Sequence, residues 1–217
     1  MCRAVKGVLH QISSRSESEY RWDNNHIVTH RMDNGILILG SFVVASGLLV
    51  YVSRKSLRCV RSHGFYRFFA WEAILGLVLL NLRSWFFQPF SILQIISWIL
   101  LSVSLLLLQQ SLQLIRAAGK PGSPRQGDPL LWFEKTTELV TSGIYHFIRH
   151  PMYSSLLFLA WGAFLKGING YTIVLVSVST ISLVATAKAD EAECIQYFGT
   201  SYKEYMTYTK MFVPFLF

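Results

Sequence analysis

The chain has 217 residues, of which 52% are hydrophobic and only 15% are charged. A soluble domain carries roughly 25% charged residues, so this composition argues against a soluble enzyme and favours a membrane protein. The net charge of +8 fits loops that face an anionic membrane surface better than a surface that binds nucleic acid. We therefore expect membrane lipids, and no nucleic acid, among the partners of this protein.

Three long apolar segments follow a polar N-terminal segment, residues 1–34, which lacks the apolar core of a signal peptide. These segments cover residues 35–53, 65–86 and 91–115. Each is long enough to cross a hydrocarbon core of about 30 Å as a helix. Residues 35–115 are therefore predicted to contain three transmembrane helices.

Residues 116–217 form the third predicted region, and it begins with a Gly- and Pro-rich break at 116–129. Two shorter apolar runs, 152–166 and 171–187, are separated by Gly-Ile-Asn-Gly, which predicts a helical hairpin. An amphipathic segment begins at Lys188 and leads into a Tyr-rich tail. The fold class is therefore predicted to be all-α: a multi-pass membrane bundle of about five transmembrane helices, with a C-terminal helical hairpin and a cytosolic amphipathic tail.

The membrane topology is predicted from the basic residues near the helix ends. The loop 54–67 contains five basic residues and no acid, so it should face the cytosol. That orientation also places 116–150 and the C-terminal tail on the cytosolic side, while the opposite turns hold only Arg83 and Lys166. We expect an integral protein of a bacterial inner membrane or of an internal eukaryotic membrane, with its site facing the cytosol.

Arg149, His150 and Pro151 stand together at the start of the fourth apolar run. Proline fits the first turn of a helix, where its missing N–H costs nothing, and it keeps the preceding residue out of the helical region. We therefore expect His150 to be the N-cap of a helix whose positive dipole end lies beside Arg149, and such an end can bind an anion. Arg149 alone is equally well explained as a basic anchor at the membrane boundary.

Three acids, Asp190, Glu191 and Glu193, follow the fifth apolar run. A helical hairpin would return them to the level of Arg149 and His150, so that cationic and anionic groups converge at one lipid–water boundary. Such a site can hold a zwitterionic molecule while an apolar partner approaches from the membrane. Taken alone, the acids are also explained as a solvated helix start; their joint placement with Arg149 is what favours a functional site.

Metal binding finds little support in the sequence. His146 and His150 are four residues apart, but Pro151 disturbs the helix that would aim both rings at one ion, and no third ligand is evident. The cysteines, Cys2, Cys59 and Cys194, show no C-x-x-C spacing, so they predict neither a zinc site nor a disulfide framework. We predict no metal.

Four motifs in order resemble those of the isoprenylcysteine carboxyl methyltransferase and phospholipid methyltransferase family. They are LVTSGIY, RHPMY, the acidic pair DE, and FGTSYKEY, all within roughly residues 115–214. The resemblance implies an integral membrane enzyme that uses S-adenosylmethionine. Its substrate would be a lipophilic small molecule or a lipidated molecule whose acceptor is a prenylcysteine-like carboxylate or a lipid amine.

The resemblance also implies the residues of the site. The expected cofactor-binding residues are Leu139, Val140, Tyr145, His150, Pro151, Met152, Tyr153 and Asp190. Arg149 and Glu191 are expected to be catalytic: Arg149 orients this segment or meets an anionic acceptor, and either Asp190 or Glu191 holds the amino group of the cofactor. Some members of the family place an arginine a few residues before the acids, and here Lys188 stands in that region as the expected substrate-binding residue.

Two other functions remain compatible with the sequence. A membrane reductase of the sterol type, whose C-terminal region is distantly similar to this family, would bind NADPH through arginines in its cytosolic loops, where this chain has only Arg116, Lys120 and Arg125. A non-catalytic membrane scaffold that retained the fold would bind no cofactor at all. Binding of S-adenosylmethionine against NADPH separates these alternatives.

Overall fold

The computed structural model describes residues 35–60, 62–87, 89–118 and 139–214. The predicted polar segment 1–34 lies outside the described residues, as does 119–138, which includes most of the Gly- and Pro-rich break. The chain divides into two units, Met1–Val44 and Ala45–Phe217. In the first unit, the described residues 35–44 are helical, and the second unit contains the other helices.

Six α-helices make up most of the described part of the chain. They are α1 (Gly35–Ser53), α2 (His63–Leu80), α3 (Ile92–Ala118), α4 (Pro151–Phe164), α5 (Gly170–Phe198) and α6 (Thr200–Tyr208). Short 3-10 turns cover Ser56–Arg58, Leu82–Ser84 and Gly143–His146. The described residues contain no β-strand, so the prediction of an all-α fold is confirmed.

Within the described residues, four helices, α1, α2, α3 and α5, are long and apolar enough to cross a membrane. They make the chain an integral membrane protein, as its composition predicts. The sequence suggests about five spans, and the fifth candidate is α4. With 14 residues, α4 is only about 21 Å long, which is shorter than a hydrocarbon core of about 30 Å.

The last apolar run and the amphipathic segment after it form one continuous helix. α5 has 29 residues and is therefore about 43 Å long, so no break occurs at Lys188. Its buried positions include Val176, Ser179, Leu183 and Glu191, which recur at the spacing of a single helical stripe. The acids therefore share one helical register with the apolar run before them.

The Gly-Ile-Asn-Gly turn joins α4 to α5 as predicted. Asn169 is the N-cap of α5: its Oδ1 accepts a hydrogen bond from the Thr172 N–H at 3.0 Å, and Thr172 Oγ1 accepts one from the Asn169 N–H at 2.9 Å. This reciprocal pair is a capping box. It satisfies two backbone donors that would otherwise lack partners at the start of the helix.

α2 runs antiparallel to α5. The first residue of α2, His63, bonds to Glu193 near the end of α5, whereas Gly76 packs against Leu175 near the start of α5. We call the end of the bundle that holds His63 and Glu193 the site end, and the opposite end the far end.

α3 runs antiparallel to α4, and serine hydroxyls link the two helices. Ser97 Oγ donates to the carbonyl of Gly162 at 2.7 Å, and Ser104 Oγ donates to the carbonyl of Ser155 at 2.7 Å. Hydroxyl-to-carbonyl bonds of this kind hold helices together where lipid offers no hydrophobic driving force.

A buried lysine after α4 contacts α3 at the far end of the bundle. Lys166 is 4% exposed; its Nζ donates to Gln94 Oε1 at 2.9 Å and lies 3.6 Å from the ring centroid of Trp98. Asn81 Nδ2 donates to the carbonyl of Ala163 at 2.8 Å. The sequence predicts Lys166 near a turn. The structure instead holds it inside the bundle through the side-chain amide of Gln94 and a cation–π contact with Trp98.

We predict that Gly162→Val destabilises the bundle. A Cβ at Gly162 would lie 2.9 Å from Leu101 Cγ and 3.4 Å from the Leu101 backbone nitrogen, so α3 and α4 must separate or repack. We expect a loss of about 1–3 kcal/mol, measured by thermal unfolding in detergent. The control is Gly170→Val at the start of α5, where a Cβ meets nothing within 4 Å; equal destabilisation of both variants would contradict the packing shown here.

Candidate active site

The N-terminus of α4 forms one wall of the site. Pro151 occupies the first turn and His150 is the N-cap, as predicted. The His150 side chain is 6% exposed, and its ring stacks on that of Tyr153 with centroids 5.4 Å apart and an interplanar angle of 20°. The imidazole is therefore fixed at the point where the backbone N–H groups of α4 begin.

Two acids of α5 contact the residues at the start of α4. Arg149 Nε donates to Glu191 Oε1 at 2.7 Å, and the same oxygen lies 3.4 Å from His150 Nε2. His150 Nδ1 lies 3.4 Å from Asp190 Oδ2. The structure thus brings together the two charged patches that the sequence predicts at one level.

The C-terminal tail pairs with the backbone of the same segment. The Arg149 N–H donates to the Lys210 carbonyl at 2.7 Å, the Lys210 N–H to the Phe147 carbonyl at 3.0 Å, and the His150 N–H to the Met211 carbonyl at 3.2 Å. This short parallel pairing was not predicted. It lays the tail across the start of α4.

An apolar cluster lies next to the paired tail. Phe212 is 1% exposed and packs with Ala70, Tyr153, Leu183 and Ala187. The cluster combines residues of α2, α4, α5 and the tail, so it covers the stacked His150–Tyr153 pair with hydrocarbon and keeps water away from it.

The guanidinium of Arg149 is committed to protein partners. Besides Glu191, it donates through Nη1 to the carbonyl of Thr209 and, at 3.4 Å, to that of Met206. Because Nε and Nη1 both bond to groups of the protein, the geometry favours the first of its two predicted roles, which is to orient the segment.

The 3-10 turn before Arg149 contains the glycine and the tyrosine of the LVTSGIY motif. Gly143 has φ +61°, and a Cβ there would lie 2.7 Å from Leu114 Cδ1 on α3, so only glycine fits both the backbone and the space. Tyr145 is buried, and its carbonyl accepts a hydrogen bond from the Tyr205 hydroxyl at 2.6 Å. Burial raises the pKa of both phenols above the usual value, so both remain neutral.

Other predicted residues lie at the edge of the cluster or outside it. Leu139 and Val140 are half-buried ahead of the 3-10 turn, and Met152 is half-buried in the first turn of α4. Lys188 is exposed. His146 is also exposed, so the structure does not pair it with His150.

Residues 98–201 match the family model of phospholipid methyltransferases. The recognition of this family from the four motifs is confirmed over that range, which is just under half of the chain. No curated protein and no solved structure matches the chain.

The phospholipid methyltransferase match contains both charged patches. Arg149, His150, Asp190 and Glu191 all fall within it, whereas α2 lies before it and the paired tail lies after it. The site therefore combines residues that the family model covers with residues that lie outside the matched range.

His63 of α2 lies outside the matched residues, and its place in the site was not predicted from the sequence. It is 2% exposed; its N–H donates to Glu193 Oε1 at 3.0 Å, and its Nδ1 lies 2.6 Å from Glu193 Oε2. One sequence feature points to His63. It stands four residues before Arg67 at the start of an apolar run, so the two polar side chains lie on one face of the helix.

Asp190 joins His63 and Glu193 in a group whose ligand atoms lie within 4.8 Å of one another. Ligand atoms on a tetrahedral zinc ion are roughly 3.3 Å apart, given bonds of about 2.0 Å. The 2.6 Å contact between His63 Nδ1 and Glu193 Oε2 is shorter than that and corresponds to a hydrogen bond between the ring and the carboxylate.

The charge of His150 is set by its acids. Burial alone would lower its pKa, but the hydrogen-bonding and charge interactions with Asp190 and Glu191 outweigh burial, so its pKa is raised. His150 is therefore an imidazolium over more of the neutral range than a free histidine, and it balances the two carboxylates.

We predict a pH-dependent contribution of His150 to stability. Because its pKa is raised on folding, the stabilisation is fully present below the unfolded value of about 6.5 and is lost as pH rises through the folded pKa. Thermal unfolding of the wild type and of His150→Gln should therefore differ most near pH 6 and converge toward pH 9. A difference that grows with pH would contradict this assignment.

We also predict that Arg149→Lys loosens the C-terminal tail. A lysine ammonium cannot reproduce the planar donor array, and losing charge-assisted bonds worth about 1.5–3 kcal/mol should speed exchange of the Lys210 amide by roughly 10- to 100-fold. Hydrogen–deuterium exchange measures this rate. Lys203→Arg, at an exposed position of α6, is the control and should leave the rate unchanged; the same rate in Arg149→Lys as in wild type would refute the role of Arg149.

Proposed function

We propose that this protein is a membrane methyltransferase that transfers a methyl group from S-adenosylmethionine to a lipophilic acceptor at the cytosolic face of its membrane. The observation that carries the proposal is the convergence of Arg149 and His150 with Asp190 and Glu191 inside the matched range. These groups lie at a helix N-terminus, so the site offers partners for both signs of charge.

The donor set fits a zwitterionic sulfonium cofactor. The backbone N–H groups of Met152 and Tyr153 in the first turn of α4 suit a carboxylate. Asp190 suits an ammonium better than Glu191, because its side chain is 23% exposed while that of Glu191 is 10% exposed and bonded to Arg149. The stacked rings of His150 and Tyr153 offer an aromatic surface to the remainder of the cofactor.

Each residue of the site then has a separate task. When bound, the cofactor supplies an electrophilic methyl group on sulfur. Glu191 holds Arg149, and Arg149 holds the tail, so both act as positioning residues. Phe212 and its cluster exclude water. A dry, pre-aligned site favours a direct displacement, because alignment of the reactants contributes about 7–11 kcal/mol to lowering the barrier.

The cytosolic orientation rests on exposed basic residues at the site end. Arg54, Lys55 and Arg58 are exposed just before α2, whose first residue contacts Glu193. Because basic residues concentrate on the cytosolic side of membrane helices, the site end should face the cytosol. An acceptor with apolar chains would then reach the site from the inner leaflet, and the family description favours a phospholipid.

We predict that His150→Ala weakens binding of S-adenosylmethionine roughly 10- to 100-fold, because it removes the aromatic ring that stacks on Tyr153 and the group that fixes the position of Asp190. Isothermal titration calorimetry on purified protein in detergent measures the affinity. His146→Ala removes an exposed histidine four residues earlier and should bind as wild type does. Unchanged affinity in His150→Ala would remove this residue from the site.

The proposed activity is tested with tritiated-methyl S-adenosylmethionine and a membrane lipid extract. Transfer of label to lipid is the expected result, and base lability of the product distinguishes a methyl ester from a methylated amine. Binding of NADPH with no binding of S-adenosylmethionine would favour a reductase. Binding of neither would favour a non-catalytic scaffold.

A further inference from the structure

We propose that the far end of the bundle binds the phosphate group of a phospholipid in the leaflet at that end, through Lys166 and Trp85. The proposal goes beyond the proposed function and does not rest on it, because the 14 residues of α4, about 21 Å of helix, separate these residues from His150. The lipid bound there is therefore neither the methyl donor nor the methyl acceptor.

Lys166 carries a buried charge that no acid among the described residues balances. It is 4% exposed; its Nζ bonds to Gln94 Oε1 at 2.9 Å and lies 3.6 Å from the ring centroid of Trp98. An ammonium has three donors, and the amide oxygen satisfies one of them. Because buried charges in proteins are normally paired with an opposite charge, the surroundings of Lys166 are completed by an anion.

The two turns at the far end are basic. Residues 81–91 contain Arg83 and residues 165–169 contain Lys166, and neither turn contains an aspartate or a glutamate. Arg83 is exposed two positions before Trp85. Two positive charges without an acid in the same turns attract an anionic ligand to this end of the bundle.

Trp85 adds a buried donor to the same place. Its Nε1 is buried and has no hydrogen-bond partner in the described part of the chain, and buried donors in folded proteins almost always have an acceptor. The Trp85 ring centroid lies 5.6 Å from Lys166 Nζ. Two hydrogen bonds of about 2.9 Å to one oxygen span up to roughly 6 Å, so a phosphate with several oxygens can accept from both groups.

The donors determine the chemical class of the ligand. The ammonium of Lys166, the indole N–H of Trp85 and the guanidinium of Arg83 all donate hydrogen bonds and accept none. The ligand must therefore offer several acceptor oxygens and a negative charge. A phosphate diester has both, and a lysine binds phosphate as a point charge.

The side chains around these donors favour a lipid over a free phosphate ion. Phe86 and Phe87 follow Trp85 and are 77% and 67% exposed, and the Phe86 ring packs on Trp98 with centroids 5.9 Å apart. Exposed aromatic rings are typical of the lipid–water boundary. A phospholipid can lay its acyl chains on these rings while its phosphate reaches Lys166, whereas a free ion has no apolar part to cover them.

The length of α4 gives a second reason for a lipid. At about 21 Å, α4 is roughly 9 Å shorter than a hydrocarbon core of about 30 Å. With His150 at one boundary, Lys166 lies short of the other, and a bilayer accommodates a short helix by thinning beside it. A phosphate drawn inward to Lys166 pairs with its charge and reduces the mismatch in length.

A first experiment observes the indole N–H of Trp85 directly. Wild type labelled with 15N-tryptophan in maltoside micelles is titrated with dioleoylphosphatidylglycerol, and the Trp85 signal is assigned by its absence in Trp85→Phe. We expect a saturable downfield shift of this N–H. Dioleoylglycerol, which has the same chains and no phosphate, should leave the signal in place. No shift with the phospholipid, or an equal shift with dioleoylglycerol, overturns the proposal.

Inorganic phosphate distinguishes the two sources of this ligand chemistry. Added without lipid, it should leave the Trp85 signal unchanged at the concentration that saturates the site with dioleoylphosphatidylglycerol, because it lacks acyl chains. A saturable shift with inorganic phosphate that the lipid does not alter would assign the site to the free anion and overturn the lipid as its occupant.

A second experiment measures lipid affinity by native mass spectrometry of the full chain. Lys166→Gln removes the positive charge but keeps a polar side chain beside Gln94, and we expect dioleoylphosphatidylglycerol to bind roughly 10- to 100-fold more weakly. Trp85→Phe keeps an aromatic ring and removes the N–H, so the loss should be roughly 3- to 10-fold.

Matched controls test whether these losses are specific. Lys203→Gln changes an exposed lysine on α6, and Trp161→Phe changes a tryptophan of α4 that is 43% exposed; both should bind the lipid as wild type does. Wild-type affinity in Lys166→Gln, or an equal loss in Lys203→Gln, contradicts the site.

The affinity for S-adenosylmethionine separates this proposal from the proposed function. It should be unchanged in Lys166→Gln, because Lys166 lies at the opposite end of α4 from His150. If Lys166→Gln fails to fold, Trp85→Phe decides the outcome through its lipid affinity. Wild type that binds the phospholipid but no S-adenosylmethionine refutes the proposed function and supports the far-end site, whereas the reverse result refutes the far-end site alone.

Discussion

The bond between Arg149 and Glu191 is the constraint on which the site depends. It joins the segment before α4 to the last third of α5, and the same guanidinium holds the C-terminal tail through the carbonyls of Thr209 and Met206. Burying two charges is costly unless further hydrogen bonds satisfy them, and here two backbone carbonyls accept from Nη1 of Arg149. Removal of Glu191 would leave Arg149 buried without this carboxylate partner, and breaking a buried pair in this way costs about 3–5 kcal/mol.

The unequal lengths of α4 and α5 create the space for this arrangement. α5 exceeds α4 by 15 residues, from 29 and 14, or about 22 Å. α4 starts beside Asp190 and Glu191, and α5 continues for seven residues beyond Glu191 to Phe198, or about 10 Å. The tail pairs with the backbone before α4, and the 3-10 turn at Gly143–His146 packs against Leu114 of α3, so both adjoin the polar cluster at the site end.

The sequence predicted the parts of the fold that depend on local patterns. Apolar runs of sufficient length gave the spanning helices, Pro151 gave the start of α4, and Gly-Ile-Asn-Gly gave the hairpin, because each of these is a property of a few neighbouring residues. The hairpin in turn placed the acids of α5 level with Arg149. These predictions required no knowledge of how α2 or the tail pack.

Other features depend on contacts between distant parts of the chain. The pairing of Arg149 and His150 with Lys210 and Met211 uses backbone groups. Because every residue carries such groups, no pattern of side chains predicts the pairing. His63 and Glu193 are 130 positions apart. Lys188 stays a prediction as the substrate-binding residue: α5 continues without a break, and its register turns Lys188 about 100° from buried Ala187 and leaves it exposed.

The charged site combines residues inside and outside the matched range. Arg149, His150, Asp190 and Glu191 lie within residues 98–201, whereas α2 presents His63 and Arg67 on its buried face. These two residues are one turn apart, about 6 Å along the helix, and His63 lies nearer the site end. Because His63 bonds to Glu193, two positions after the Glu191 that bonds to Arg149, a substitution at the start of α2 acts on the same stretch of α5 that holds Arg149.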